Sequence, residues 1–281
     1  MFSIENSNNK IIFDDKTYYL LNYDLGNSTA VMSTSNYLGQ NDVFINNSHL
    51  EPRTILLKGA ICSESNIEEA KKGLINMINP LQNLIFRNGK YSIECRATQT
   101  IKINYEEILY NYIPFSIELY CPDPYWTDTE QSKAEIALWE GKFLFPLAIQ
   151  NKGVVMGIKQ PSLIVNIDNP GDVKTGMIIE FRARGALSNP SLFNVNTREY
   201  IKIKKDMVAG EVIKINTNFN KKKIESILNG VTTNILNHID LGGGDTFLQL
   251  DTGDNLFRYD ADTNLNNLDI DVYFSPKYLE V

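Results

Sequence analysis

Only two histidines, His49 and His238, occur in 281 residues, and that scarcity governs the chemistry the chain can offer. A Ser-His-Asp or Cys-His relay needs a base to take the nucleophile's proton and a third group to orient that base. His49 falls in an Asn-rich arm and His238 in a segment that reads as strand. The simpler reading is a loop histidine and a strand-face histidine. A two- or three-histidine metal site is nearly excluded by number, and GxSxG, HExxH, GxxxxGK[ST] and GxGxxG patterns are all missing. Gly242-Gly243-Gly244 is followed by Asp245 and a strand pattern, without the lysine and helix N-terminus of a phosphate loop. It reads as a hairpin turn.

Asp260, Asp262, Asn264 and Asn266, with Asp271 at the twelfth place, imitate the alternating oxygen ligands of a calcium loop. Leu265 stands where that loop needs glycine, Asp271 replaces the bidentate glutamate, and no helical pattern flanks the segment. The expectation is a solvated hairpin turn between strands ending at Tyr259 and starting at Leu268. Cys62, Cys95 and Cys121 have no CxxC spacing and are odd in number, so neither a zinc site nor a disulfide framework is indicated. Glycosidic hydrolysis by paired carboxylates depends on separation in space, and 34 acidic residues give no basis for choosing two. Phe247, Phe257, Tyr259, Tyr273 and Phe274 could form sugar platforms, but their alternation favours a core. The lysines of 202–205 and 221–223 read as edge protection or a solvated face. No catalytic, cofactor or metal residue is therefore assigned.

The elements that would position any site read as follows. Short apolar runs at Phe2–Glu5, Lys10–Phe13 and Thr17–Leu21 alternate with Asn- and Asp-rich turns, as in a meander. Residues 24–50 show weak periodicity and read as a long arm or loop with at most a short strand at Val43–Ile45. Ser65-Asn66-Ile67-Glu68 fits a capping box, Pro80 supplies a stop, and Ile67, Ala70, Leu74, Met77 and Ile78 share one helical face. Alternating strands are predicted at Tyr91–Ala97, Ile101–Tyr105 and Ile113–Cys121, with Cys95 and Cys121 on the buried face as inert thiols. After a connector, strands are predicted at Leu163–Ile167, Met177–Ala183, Leu192–Val195, Tyr200–Ile203, Val212–Ile215, Ile224–Leu228, Ile235–Ile239, Phe247–Leu250, Leu256–Tyr259 and Leu268–Phe274. Many short strands without a helical pattern indicate a β-sandwich or jelly roll.

The length suits about two domains, and 43% hydrophobic with 22% charged residues excludes a disordered or coiled-coil chain. A net charge of −7 argues against a phosphate-neutralising grip on nucleic acid and against docking on anionic lipid. No apolar run reaches membrane-spanning length, and the first residues lack signal-peptide features, so synthesis in the cytoplasm without export is expected.

One arrangement is specific. Arg53 to Gly59, a helix, Asn88 to Cys95, and Phe115 to Cys121 followed by Pro122-Asp123-Pro124-Tyr125-Trp126 resemble the distal tail protein family of long-tailed bacteriophages. Asn169 to Asp172, Gly210-Glu211 and Leu250 to Asn255 follow in that family's order. The resemblance implies a non-enzymatic virion protein, from a phage or a prophage-derived tail, with no cofactor. It implies a mainly β, α+β chain: an N-terminal ring-forming domain (1–130), a connector (131–150) and a C-terminal galectin-like β-sandwich (151–281). It further implies a hexameric ring joining the tail tube protein to the tail-tip protein or tail-associated lysin, and in some phages to receptor-binding or baseplate proteins. The 24–50 arm and the connector would contribute contacts. The competing expectation is a carbohydrate-binding adhesin acting through the sandwich; a glycan-degrading enzyme ranks below both.

Overall fold

The computed structural model describes the chain except residues 15, 38, 40, 64–65, 105–110, 137–138, 142–156, 160–163 and 243–246. For 139–141 and 157–159 only the backbone is described. The chain forms two compact units, one of Met1–Thr129 with Tyr278–Val281 and one of Glu130–Lys277.

In the first unit, seven strands form a path in the order Lys10–Phe13, Phe2–Glu5, Leu84–Asn88, Tyr91–Ala97, Tyr112–Cys121, Arg53–Cys62 and Tyr18–Asp24. Strict alternation in Tyr91–Ala97 and Tyr112–Cys121 buries Ile93, Cys95, Ala97, Ile113, Phe115, Ile117, Leu119 and Cys121, because successive side chains leave a strand on opposite faces. Over this face lies the helix Ile67–Met77, with Leu74 and Met77 fully buried and Ile67 and Ala70 packed on the same core. Tyr18 fastens the helix: its hydroxyl, pushed up in pKa by burial, donates to the Ala70 carbonyl at 3.0 Å. Gly59 faces Phe115 across the ladder. A Cβ there would overlap the Tyr19 carbonyl oxygen and the Phe115 ring, so close strand packing requires glycine.

In the second unit, a six-stranded sheet runs Ser132–Glu135, Leu268–Phe274, Met177–Ala183, Val212–Asn216, Lys223–Leu228, Val231–Asn234. A four-stranded sheet runs Ile164–Asn169, Gly253–Asp260, Ser191–Asn194, Tyr200–Lys202. One core joins Ile179, Phe181, Ile213, Ile215, Ile270 and Val272 of the first sheet to Ile167, Leu192, Ile201, Phe257 and Tyr259 of the second, which is the sandwich arrangement. Asn229-Gly230, both at positive φ, make the two-residue turn that matches strand twist.

Several expectations are corrected. The arm contains a seven- and an eight-residue strand, Ala30–Asn36 and Val43–Leu50, paired as a hairpin that carries His49. Both of its faces are open, so no buried stripe stamps a period on the sequence. The segment Ile235–Ile239 is a 3₁₀ turn, Leu236–His238, started by Asn234 Oδ1 accepting the Leu236 N–H at 3.0 Å. Phe247–Leu250 is not a strand; Leu248 and Leu250 are buried alternately, and only Leu250 makes a bridge, to Thr175. Residues 261–267 form no hairpin turn, since the strands on either side belong to different sheets. Asn66, not Ser65, occupies the helix cap and pairs with the Glu69 carboxylate; Ser65 lies outside the described residues. Within the stretch read as connector, Ser132–Glu135 is an edge strand paired with Leu268–Phe274, while 137–138 and 142–150 lie outside the described residues.

Candidate assembly surface

The residues that prompted a search for chemistry do not converge. His49 is exposed on the hairpin opposite Val31. His238 places Nδ1 3.1 Å from the Lys204 carbonyl oxygen. Asp262 is taken by Lys202 (2.6 Å) and Asn189 (2.9 Å), which together hold its carboxyl below the usual range. Asn264 donates to the Ala186 carbonyl, and Asp271 lies on the other sheet beside Lys133 and Arg182. Among the described residues no cluster of three or more His, Cys, Asp or Glu side chains is placed to hold a metal. Gly242 donates to Asp240 Oδ1 at 3.0 Å; Gly243, Gly244 and Asp245 lie outside the described residues. Phe257, Tyr259 and Phe274 are core residues. The lysines of 202–205 are largely committed: Lys202 to Asp262, Lys204 to Asp240 (3.0 Å) and Lys205 to Glu211 (2.6 Å).

What the fold does display is apolar surface on the hairpin. Met32, Tyr37, Val43, Phe44 and Ile45 are each half-exposed or more, with Tyr37 and Phe44 edge to face at 5.5 Å. The hairpin is a sheet of two strands, and among the described residues no other strand joins it. An isolated two-stranded ribbon is marginal in water, and each large apolar side chain gains about 1.5–3 kcal/mol on burial. Covering such a ribbon would therefore stabilise it. The edge strand Tyr18–Asp24 adds exposed Leu21 and Tyr23.

The root of the hairpin is held by Arg53, whose side chain is fully buried. Its Nε donates to the Pro124 carbonyl (3.0 Å), Nη1 to those of Gly26 (2.5 Å) and Leu25 (3.3 Å), and Nη2 to Leu279 (2.5 Å) and to Ser28 Oγ (2.7 Å). The guanidinium also lies 5.8 Å from the centroid of buried Trp126. Glu280 approaches at 3.4 Å, but its carboxylate is 58% exposed, so the ion pair contributes little beside the carbonyls. One rigid fork thus ties the arm's root, the Pro124-Tyr125-Trp126 turn and the 278–281 segment together. Sequence reading singled out both Arg53 and Trp126 without placing them in contact.

Geometry therefore defines a two-unit β protein whose distinctive surface is an anchored, uncovered ribbon. Residues 170–278 match the family described as siphovirus-type tail component, C-terminal domain. The fold of the whole chain resembles SPP1 Dit, described as a paradigm of the hub adsorption apparatus in phages infecting Gram-positive bacteria: TM-score 0.70, 9% identity, 99% of each chain covered. It also resembles a chain of the phage p2 baseplate in its activated conformation, at TM-score 0.58, 11% identity, with 100% of this chain and 99% of that one covered. No curated protein matches. The resemblance to tail components read from the sequence is thus carried by the family match in the second unit and by the fold along the whole chain.

Proposed function

We propose that this chain is a structural tail protein, six copies of which close into a hub ring at the distal end of a phage tail tube. The observation that carries this reading is the likeness of fold to SPP1 Dit over 99% of both chains. The tail-component match in residues 170–278 supports it. In this reading the ring joins the tube protein to the tail-tip protein or tail-associated lysin and to baseplate or receptor-binding proteins; the second unit is a galectin-like sandwich, and the protein resides in the virion. The exposed hairpin suits ring closure, since a head-to-tail contact repeated by rotation closes when apolar surface and strand edges meet the neighbouring copy. Identical subunits of charge −7 repel, so closure relies on apolar and backbone contacts or on locally basic patches. Negative-stain microscopy of the purified chain, alone and with its tube protein, tests the proposal; six-fold rings are expected, and monomers in every condition would refute it.

A second reading, carbohydrate binding by the second unit, is favoured by Phe219, 80% exposed at the turn between Val212–Asn216 and Lys223–Leu228. Glycan-array binding lost in Phe219→Ala would support it.

A further inference from the structure

We propose that Cys95 and Cys121 form a disulfide on oxidation, an internal lock across the centre of the first unit's sheet. The strands Tyr91–Ala97 and Tyr112–Cys121 pair with Ala97 opposite Leu119 and Arg96 opposite Tyr120. Continuing that antiparallel register by one residue sets Cys95 opposite Cys121. The Thr98 N–H donates to the Glu118 carbonyl at 3.1 Å, so 98/118 and 96/120 are the hydrogen-bonded pairs and 97/119 is a closely spaced one; 95/121, just past the last ladder pair, is the next place of that closely spaced kind. Closely spaced pairs have Cα atoms about 4.5 Å apart, inside the span of about 4.4–6.8 Å that a disulfide bridges. Directly opposed residues leave the sheet on the same side, and both thiols lie in the same core, 3% and 0% exposed. Interaction with the Cys121 thiol, together with burial, pushes the Cys95 thiol well up.

A small peroxide suits so enclosed a pair. One thiol, as thiolate, attacks a peroxide oxygen; the O–O bond breaks, sulfenic acid forms and hydroxide leaves. The second thiolate attacks that sulfur, the S–S bond forms and a second hydroxide leaves. The two thiol protons end on the hydroxides, so two thiols and one hydrogen peroxide give one disulfide and two waters. Because both thiols are buried and the Cys95 thiol is held protonated, the reaction is slow and paced by local opening. Cys62 is an internal control. It lies opposite Tyr112, at the far end of the strand whose Arg53 faces Cys121, about 30 Å away at strand rise.

The test uses the full chain, reduced, then exposed to hydrogen peroxide under native conditions, unfolded, alkylated and mapped by mass spectrometry. A Cys95–Cys121 linked peptide is expected, with Cys62 outside the link. The bond closes a loop of about 27 residues, which raises the folding equilibrium constant on the order of a few hundred-fold. That moves the first unit's unfolding midpoint up by about 10 °C. A phosphine reductant should reverse the shift, and Cys121→Ser should never show it while its reduced fold is retained. The proposal is overturned if Cys95 and Cys121 remain alkylatable after Cys62 has been oxidised. A link that recruits Cys62, or a Cys95–Cys121 link that leaves the midpoint unchanged or lower, also overturns it.

Discussion

Replacing Arg53 is the sharpest perturbation of the first unit. In Arg53→Ala the carbonyls of Leu25, Gly26, Pro124 and Leu279 lose their donor together. At about 1–3 kcal/mol for each unsatisfied buried group, the low end applies, because water enters the vacated space, and gives about 4 kcal/mol. Recovery of the arginine's own desolvation offsets part of this, and lost packing of its stem restores it. For a unit of about 130 residues, an unfolding entropy of about 2.1 cal/mol/K per residue converts 4 kcal/mol into a midpoint about 10–15 °C lower. Arg53→Lys keeps the charge but has three donors on a flexible stem in place of a planar fork, so it should recover only part of the loss. Differential scanning calorimetry of the full chain reads the magnitude, and hydrogen exchange reads its location. Peptides covering 24–29, 122–126 and 278–281 should lose protection together, while Val212–Asn216 in the other unit does not change. A midpoint within about 2 °C of the parent, or deprotection at only one of the three segments, would show that the fork is not their common anchor.

Phe44→Asp with Ile45→Asp should leave the subunit's unfolding free energy within the roughly 0.5 kcal/mol typical of surface changes yet abolish rings by microscopy and light scattering; persistent rings would remove the hairpin from the interface. Burial raises the Glu211 carboxyl, but hydrogen bonds from Lys205, Ser226 and the Val208 N–H outweigh it and hold it below its ordinary value. A lowered carboxylate stabilises the fold above its unfolded pKa, and that contribution is lost as pH falls through the folded value. Glu211→Gln should therefore destabilise the second unit at pH 7 by about 2–4 kcal/mol, with the difference from the parent shrinking below about pH 4.5 in pH-dependent urea titrations. Gly59→Ala should cost about 1–3 kcal/mol or more by overpacking, read as a lower urea midpoint.

Much of this protein was determined by sequence alone, and the reason is one-sided burial. Wherever one strand face is buried and the other wet, as in Tyr91–Ala97, Met177–Ala183 and Leu268–Phe274, period-two alternation records the fold residue by residue. The amphipathic helix face was legible for the same reason. The hairpin was not, because strands open on both faces carry no alternation. Leu248 and Leu250 misled in the opposite sense, being buried alternately without a ladder beside them. Long-range relations lay beyond local pattern altogether. Only the tertiary structure decided that Arg53 meets Gly26, Pro124 and Leu279, or that the strand after Asn264 changes sheet. It alone set two thiols 26 positions apart on facing strands, because register depends on how separate segments pair, and no run of neighbouring residues encodes that pairing.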